Sequence, residues 1–120
     1  MLTDIATEAD IKLMVHTFYA RVREDDTIGP IFNSRIKDWD THLQKLCNFW
    51  STLLLYTKTY EGDPMSVHRG MAIDTVHFNT WLTIFNKTID DLFDGETAQA
   101  AKNRAQKIST VMQHVVTRPA

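Results

Sequence analysis

The chain predicts an all-α protein, and three observations carry that expectation. Apolar residues recur at spacings of three and four through four long segments. Strand-like alternation is weak throughout. Gly, Pro and capping residues punctuate the segments where helices should begin and end. At 120 residues the sequence is long enough for one core, so a single domain over residues 1–120 is expected.

The first helix is predicted from Ile11, Met14, Val15, Phe18, Tyr19 and Val22, which share one face. Thr7 and Asp10 at its start resemble a capping box with Asp in the place of Glu or Gln. Gly29-Pro30 breaks the chain, and Ile31-Phe32 fall in a short turn or helix. The second long helix runs from about Asp38, a good N-cap, to about Tyr56. Its stripe is Trp39, His42, Leu43, Leu46, Phe49, Trp50, Leu53 and Leu54. A polar loop follows from Thr57 to Asp63, where Asp63 and Pro64 open a short helix ending near Arg69-Gly70. The third long helix starts near Asp74 or Thr75, carries Phe78, Trp81, Leu82, Phe85, Ile89 and Leu92, and is expected to end at Gly95. The fourth spans about Glu96 to Val116, with Ala101, Ala105, Ile108, Val111, Met112 and Val115 facing inward.

Composition narrows the function classes. Hydrophobic residues make up 43% and charged residues 23%, the balance of a globular chain. A net charge of −2 gives no basic footprint for nucleic acid and no polybasic membrane anchor. The longest apolar run, Leu53-Leu54-Leu55-Tyr56, is too short to span a bilayer, and the first residues lack a secretory pattern. The lone Cys47 permits no internal disulfide and fits a reducing compartment, so a cytoplasmic location is expected. There is no HExxH, no Cys/His cluster, no EF-hand loop and no Gly-rich phosphate loop.

The weakly helical stretch of residues 57–73 interrupts what would otherwise be a plain bundle. It contains His68. One imidazole there, with Tyr19, His42 and Trp81 on separate helices, is the set an all-α protein needs to hold heme iron and a small gas. His68 would be the axial metal ligand, and Tyr19, His42 and Trp81 would offer hydrogen bonds on the other side. Trp39 and Trp50 are assigned to packing. Phe18, Phe32, Phe49 and Phe78 signal a core when taken alone.

In this order these pieces resemble the truncated hemoglobins, most of all their third group, over roughly residues 8–116. Phe18-Tyr19-Ala20-Arg21-Val22-Arg23 with Gly29-Pro30-Ile31-Phe32 is similar to the family's first long helix and following turn. His42-Leu43-Gln44-Lys45-Leu46 with Asn48-Phe49-Trp50 resembles its distal helix, Pro64-x-x-x-His68 its proximal segment, and His77-Phe78-x-x-Trp81-Leu82 its next helix. The chain lacks the paired glycines of the other groups, and Arg69–Val76 is not Pro-rich as in some relatives.

The resemblance implies helices packed two over two around heme b, with His68 on the iron. It implies heme contacts from Phe32, Leu46, Phe49, Phe78, His77 and Met112, and a distal pocket of Tyr19, His42, Trp81 and Phe18. His77 is the rival iron ligand or a partner for a heme propionate, with Arg35, Lys45 and Arg69 as weaker propionate candidates. The implied function is binding of dioxygen, nitric oxide or carbon monoxide. No long exposed apolar stripe in the sequence demands a dimer, so a monomer is expected. One rival is a nitric oxide dioxygenase or peroxidase-like enzyme fed by an external reductase. Another is a helical interaction module without heme.

Overall fold

The computed structural model describes residues 1–62, 64, 68 and 71–116. Among them are five helices and no strand: α1 (Glu8–Glu24), α2 (Gly29–Arg35), α3 (Trp39–Leu55), α4 (Thr75–Leu92) and α5 (Glu96–Val116). The expected short helix after Asp63 falls mostly outside the described residues.

Helix α1 begins with the anticipated capping box. Asp10 N donates to Thr7 Oγ1 at 3.2 Å, and the Asp10 carboxylate accepts from Thr7 N at 3.0 Å. Asp therefore serves in place of Glu, its shorter side chain reaching Ala6 N as well, at 2.9 Å. The predicted stripe is the buried one, from Ile11 to Val22. Helix α2 follows so closely that a Cβ on Gly29 would stand 2.8 Å from the Arg23 carbonyl oxygen. Only glycine permits that approach.

Asp38 caps α3, accepting from Thr41 N and Thr41 Oγ1. The helix ends on Tyr56 in the left-handed region at φ 59°. Thr52 Oγ1 then accepts from both Thr59 N and Tyr60 N, folding the next residues back onto the helix. Ser51, fully buried, donates to the Glu8 carboxylate and so ties α3 to α1.

Helix α4 stops at Leu92, three residues before the Gly95 expected to end it. Phe93 leaves the helix extended and buries its ring, and Asp94 N donates to Thr3 O at 3.0 Å. Gly95 sits instead at the entrance of α5 with φ +147°. In α5 the inward positions are Ala98, Ala101, Ala105, Ser109, Met112 and Val116. Val111, expected inward, is 47% exposed. The stripe advances by steps of three and four, which selects Ser109 and Met112 and leaves Val111 turned outward.

Helix α1 packs on α3, α4 packs on α5, and α1 joins the two pairs by packing on α4. This is a two-over-two sandwich. The backbones of α3 and α4 stay apart, and side chains bridge the gap where Trp50 stacks on Phe85 at 5.0 Å.

Candidate functional site

Helix α3 carries two apolar strips with different fates. Cys47, Trp50 and Leu54, with Ser51, are buried against the neighbouring helices. Trp39, His42, Leu43, Leu46, Phe49 and Leu53 lie on an adjoining strip and are only half-buried. Apolar surface left partly open along a whole helix is costly at roughly 25 cal/mol per Å², and it marks a place where something else packs.

Aromatic side chains converge beside that strip. Tyr19 is 5% exposed, and its ring meets Phe32 at 5.8 Å, Trp39 at 6.1 Å and His42 at 6.5 Å. Burial pushes the Tyr19 phenol well above its ordinary range, and hydrogen bonding from Trp81 pulls slightly the other way. Indole N–H is a donor only, so the Trp81 nitrogen and the Tyr19 oxygen share one polar spot. Phe18 stands behind them in the core, edge-on to Trp81 at 5.6 Å and to Phe85 at 5.1 Å. Trp81 stacks on Phe85 at 5.7 Å.

His42 is half-buried, with a pKa lowered first by desolvation and then by the charges of Lys45 and His68. At pH 7 His42 is neutral, with one ring donor and one acceptor.

His68 is half-buried, and its Nδ1 lies 2.5 Å from the Pro64 carbonyl oxygen. A carbonyl only accepts, so Nδ1 carries the hydrogen. In a neutral ring Nε2 then holds the free lone pair. Pro64 supplies the orienting partner, a role that its carbonyl plays and its side-chain type does not advertise in sequence.

The remaining candidates divide. Phe78 and Met112 form a small buried cluster with Val116, flanked by Met71, Ile73 and Ile108. A concavity of about 330 Å³ opens at its edge, lined by Asp74, Thr75, Gln113 and their neighbours. Phe32, Leu46 and Phe49 are half-buried against the main core. His77 is occupied locally: its Nδ1 accepts from Asp74 N at 3.0 Å in the capping box that starts α4. Arg35 and Lys45 are exposed, and Arg69 lies outside the described residues.

Residues 2–117 match the sequence pattern of the bacterial-like globins. The chain belongs to that family. It is 29% identical to a group 3 truncated hemoglobin of Campylobacter jejuni, over 97% of this globin and 95% of that protein. Superposed on the crystal structure of the group III truncated hemoglobin from Campylobacter jejuni, this globin gives a TM-score of 0.86 at 30% identity, covering 97% of its own chain and 95% of the other. The group II truncated hemoglobin of Bacillus anthracis shares the fold at a TM-score of 0.80 and 24% identity, covering 97% and 89%. The truncated hemoglobin of Tetrahymena pyriformis does so at 0.70 and 24%, covering 90% of each chain.

A globin implies a heme cofactor and a small diatomic ligand. The residues of this globin fit such a group on their own chemistry. Neutral imidazole is a good ligand for heme iron, and ligating histidines characteristically donate their other ring N–H to a backbone carbonyl. His68 does so to Pro64. The half-open strip of α3 offers the apolar surface that a porphyrin face requires. Among the described residues no cluster of His, Cys, Asp or Glu is arranged to hold a bare metal ion. No described helix is long and apolar enough to cross a membrane.

Proposed function

We propose that this globin works as a single domain that binds heme b through His68 and retains a diatomic gas, dioxygen first among them. The observation that carries the reading is the fixed tautomer of His68, with Nδ1–H held by Pro64 and the Nε2 lone pair free. When bound, heme supplies a ferrous iron with one position open to a small gas. Everything else falls to the chain.

Phe32, Leu46, Phe49, Phe78 and Met112 offer apolar contacts and keep water from the site. Tyr19 offers a hydroxyl that is protonated across the physiological range, and burial raises its pKa further. That hydroxyl is a donor aimed at partial negative charge on a ligand, and the Trp81 N–H, donating to the Tyr19 oxygen, orients it. His42, neutral at pH 7, adds a donor from the α3 side. Each hydrogen bond to the ligand contributes ~1 kcal/mol, and the two together slow its escape rather than its entry. Slow release favours sequestration or sensing over bulk transport. His77, committed to capping α4, is a less suitable iron ligand than His68.

The test is the absorption spectrum of the protein reconstituted with heme. A strong Soret band is expected, lost in His68→Gly and partly restored by free imidazole. Wild-type protein that stays colourless with heme in excess would overturn the reading. A His68→Gly spectrum identical to wild type would remove His68 as the ligand.

A further inference from the structure

Trp39 does more than the packing its sequence position suggests. It opens α3 one turn before His42, and its ring stands edge-on to the His42 imidazole, 6.0 Å away at 88°. The same indole lies 6.1 Å from the Tyr19 ring. Tyr19, Trp39 and His42 thus form a triangle of mutually touching rings. Trp39 is also held from outside: the Arg23 guanidinium carbon lies 4.4 Å from the centre of its ring. Among the described residues no carboxylate pairs with Arg23.

The base of this contact is rigid. Arg23 occupies the last turn of α1, where its carbonyl accepts from Asn33 Nδ2 at 3.2 Å and lies against Gly29. The end of α1 is therefore held on α2, and with it the backbone from which the guanidinium reaches Trp39. Asp38 fixes the other side by capping the first turn of α3.

We propose that Arg23 and Trp39 form a cation–π clamp that holds His42 turned toward Tyr19 and limits entry of a gas past it. The clamp deepens the gas-binding reading and rests on it for its physiological meaning. An imidazole swinging away from Tyr19 must displace the indole edge beside it. The indole moves only by leaving the guanidinium. Both are positioning residues acting through His42.

The test uses the full-length chain carrying Arg23→Gln, Arg23→Lys, Trp39→Leu, Trp39→Phe or Arg23→Gln with Trp39→Leu, each checked for helix content by circular dichroism. Two readouts are taken. One is the rate at which diethyl pyrocarbonate modifies His42, followed by mass spectrometry on protein without heme. The other is the bimolecular association rate of carbon monoxide after flash photolysis of the heme-loaded protein. Loss of two aromatic contacts in Trp39→Leu should raise both rates about tenfold. Loss of the cation in Arg23→Gln should raise them about threefold. Trp39→Phe and Arg23→Lys should keep most of the protection. Arg23→Gln should add nothing in the Trp39→Leu background, which general destabilisation would not produce.

Unchanged His42 reactivity in Arg23→Gln, or fully additive effects in the double variant, overturns the clamp. Arg23 is exposed and its substitution leaves the core intact, so this arm stands even if Trp39→Leu misfolds. The modification arm needs no heme. A protein that fails to take up heme therefore sinks the gas-binding reading, while His42 reactivity still decides the clamp.

Discussion

In the proposed gas-binding site Tyr19 is a buried phenol that would donate to charge on the ligand. Its hydroxyl can donate only while protonated, as an ordinary phenol already is at pH 7, and burial moves its pKa further up. Tyr19→Phe removes that donor with little change in volume. Dioxygen should leave the heme-loaded variant about tenfold faster, for the loss of ~1.4 kcal/mol; stopped-flow release measures it, and an unchanged rate would take Tyr19 out of the mechanism. His42 gives a second prediction with its own sign. Its folded pKa lies below the ordinary 6.5, so the unfolded chain binds the proton more readily. Stability should fall as pH drops through 6.5 toward the lowered value, and the loss is complete below it. His42→Gln should flatten that limb of a pH series of urea midpoints, and an unaltered slope would show that His42 is not its source. Tyr19 and His42 stand out in sequence because a hydroxyl and an imidazole are uncommon on an apolar stripe, and His68 because it lies in the weakly helical stretch between long helices. The company of Trp39 does not. An indole at the start of a helix reads as packing, and its neighbours Arg23 and Tyr19 come from a different helix.

Helix α5 shows why boundaries can be right while their causes are hidden. Its start near Glu96 follows from the glycine before it, yet its cap comes from the far end of the chain. Asp4 Oδ2 accepts from Thr97 N at 2.9 Å, and Oδ1 from Ala98 N at 2.8 Å. No local pattern announces a cap from more than ninety residues away. Burial alone would raise the Asp4 pKa, but the amides of Thr97, Ala98 and Ile5 outweigh it and the net shift is downward. This stabilisation is present above the ordinary carboxylate pKa of 3.8 and is lost as pH falls through the lowered value. Asp4→Ala should cost ~1 kcal/mol by thermal or urea unfolding at pH 7. The same variant should show a shallower acid limb, and equal stability at pH 7 would rule out the cap. Gly95→Ala should cost more than a helix-propensity change, because a Cβ there would stand 2.4 Å from Asp4 Cγ at a φ of +147°. The other elements were legible from periodicity and capping residues. The end of α4, expected at Gly95, and the side of Val111 were misplaced for a common reason. Each depends on which neighbour the helix faces, Thr3 in one case and α4 in the other.

At the scale of the molecule the decisive feature is what the helices fail to cover. The pair α1–α3 and the pair α4–α5 meet chiefly where α1 packs on α4, with a smaller contact of α3 on α5, while the strip of α3 from Trp39 to Leu53 remains half-open. A chain of this size has a small margin of stability, and uncovered apolar surface reduces it further. A group that fills the strip and binds His68 in the folded state alone adds to stability by mass action, about 4 kcal/mol at a free concentration a thousandfold above its dissociation constant. Heme-loaded protein should therefore unfold at a temperature well above that of the same protein stripped of heme. The stripped form should bind 1-anilinonaphthalene-8-sulfonate, and added heme should displace the dye in proportion to the heme taken up. His68→Gly is the informative control, since it keeps the apolar strip and removes the proposed iron ligand. Its gain in midpoint on heme addition should be smaller than the wild-type gain and should grow with free imidazole. A midpoint that does not move with heme in the wild-type chain would mean that the open strip of α3 serves a different occupant.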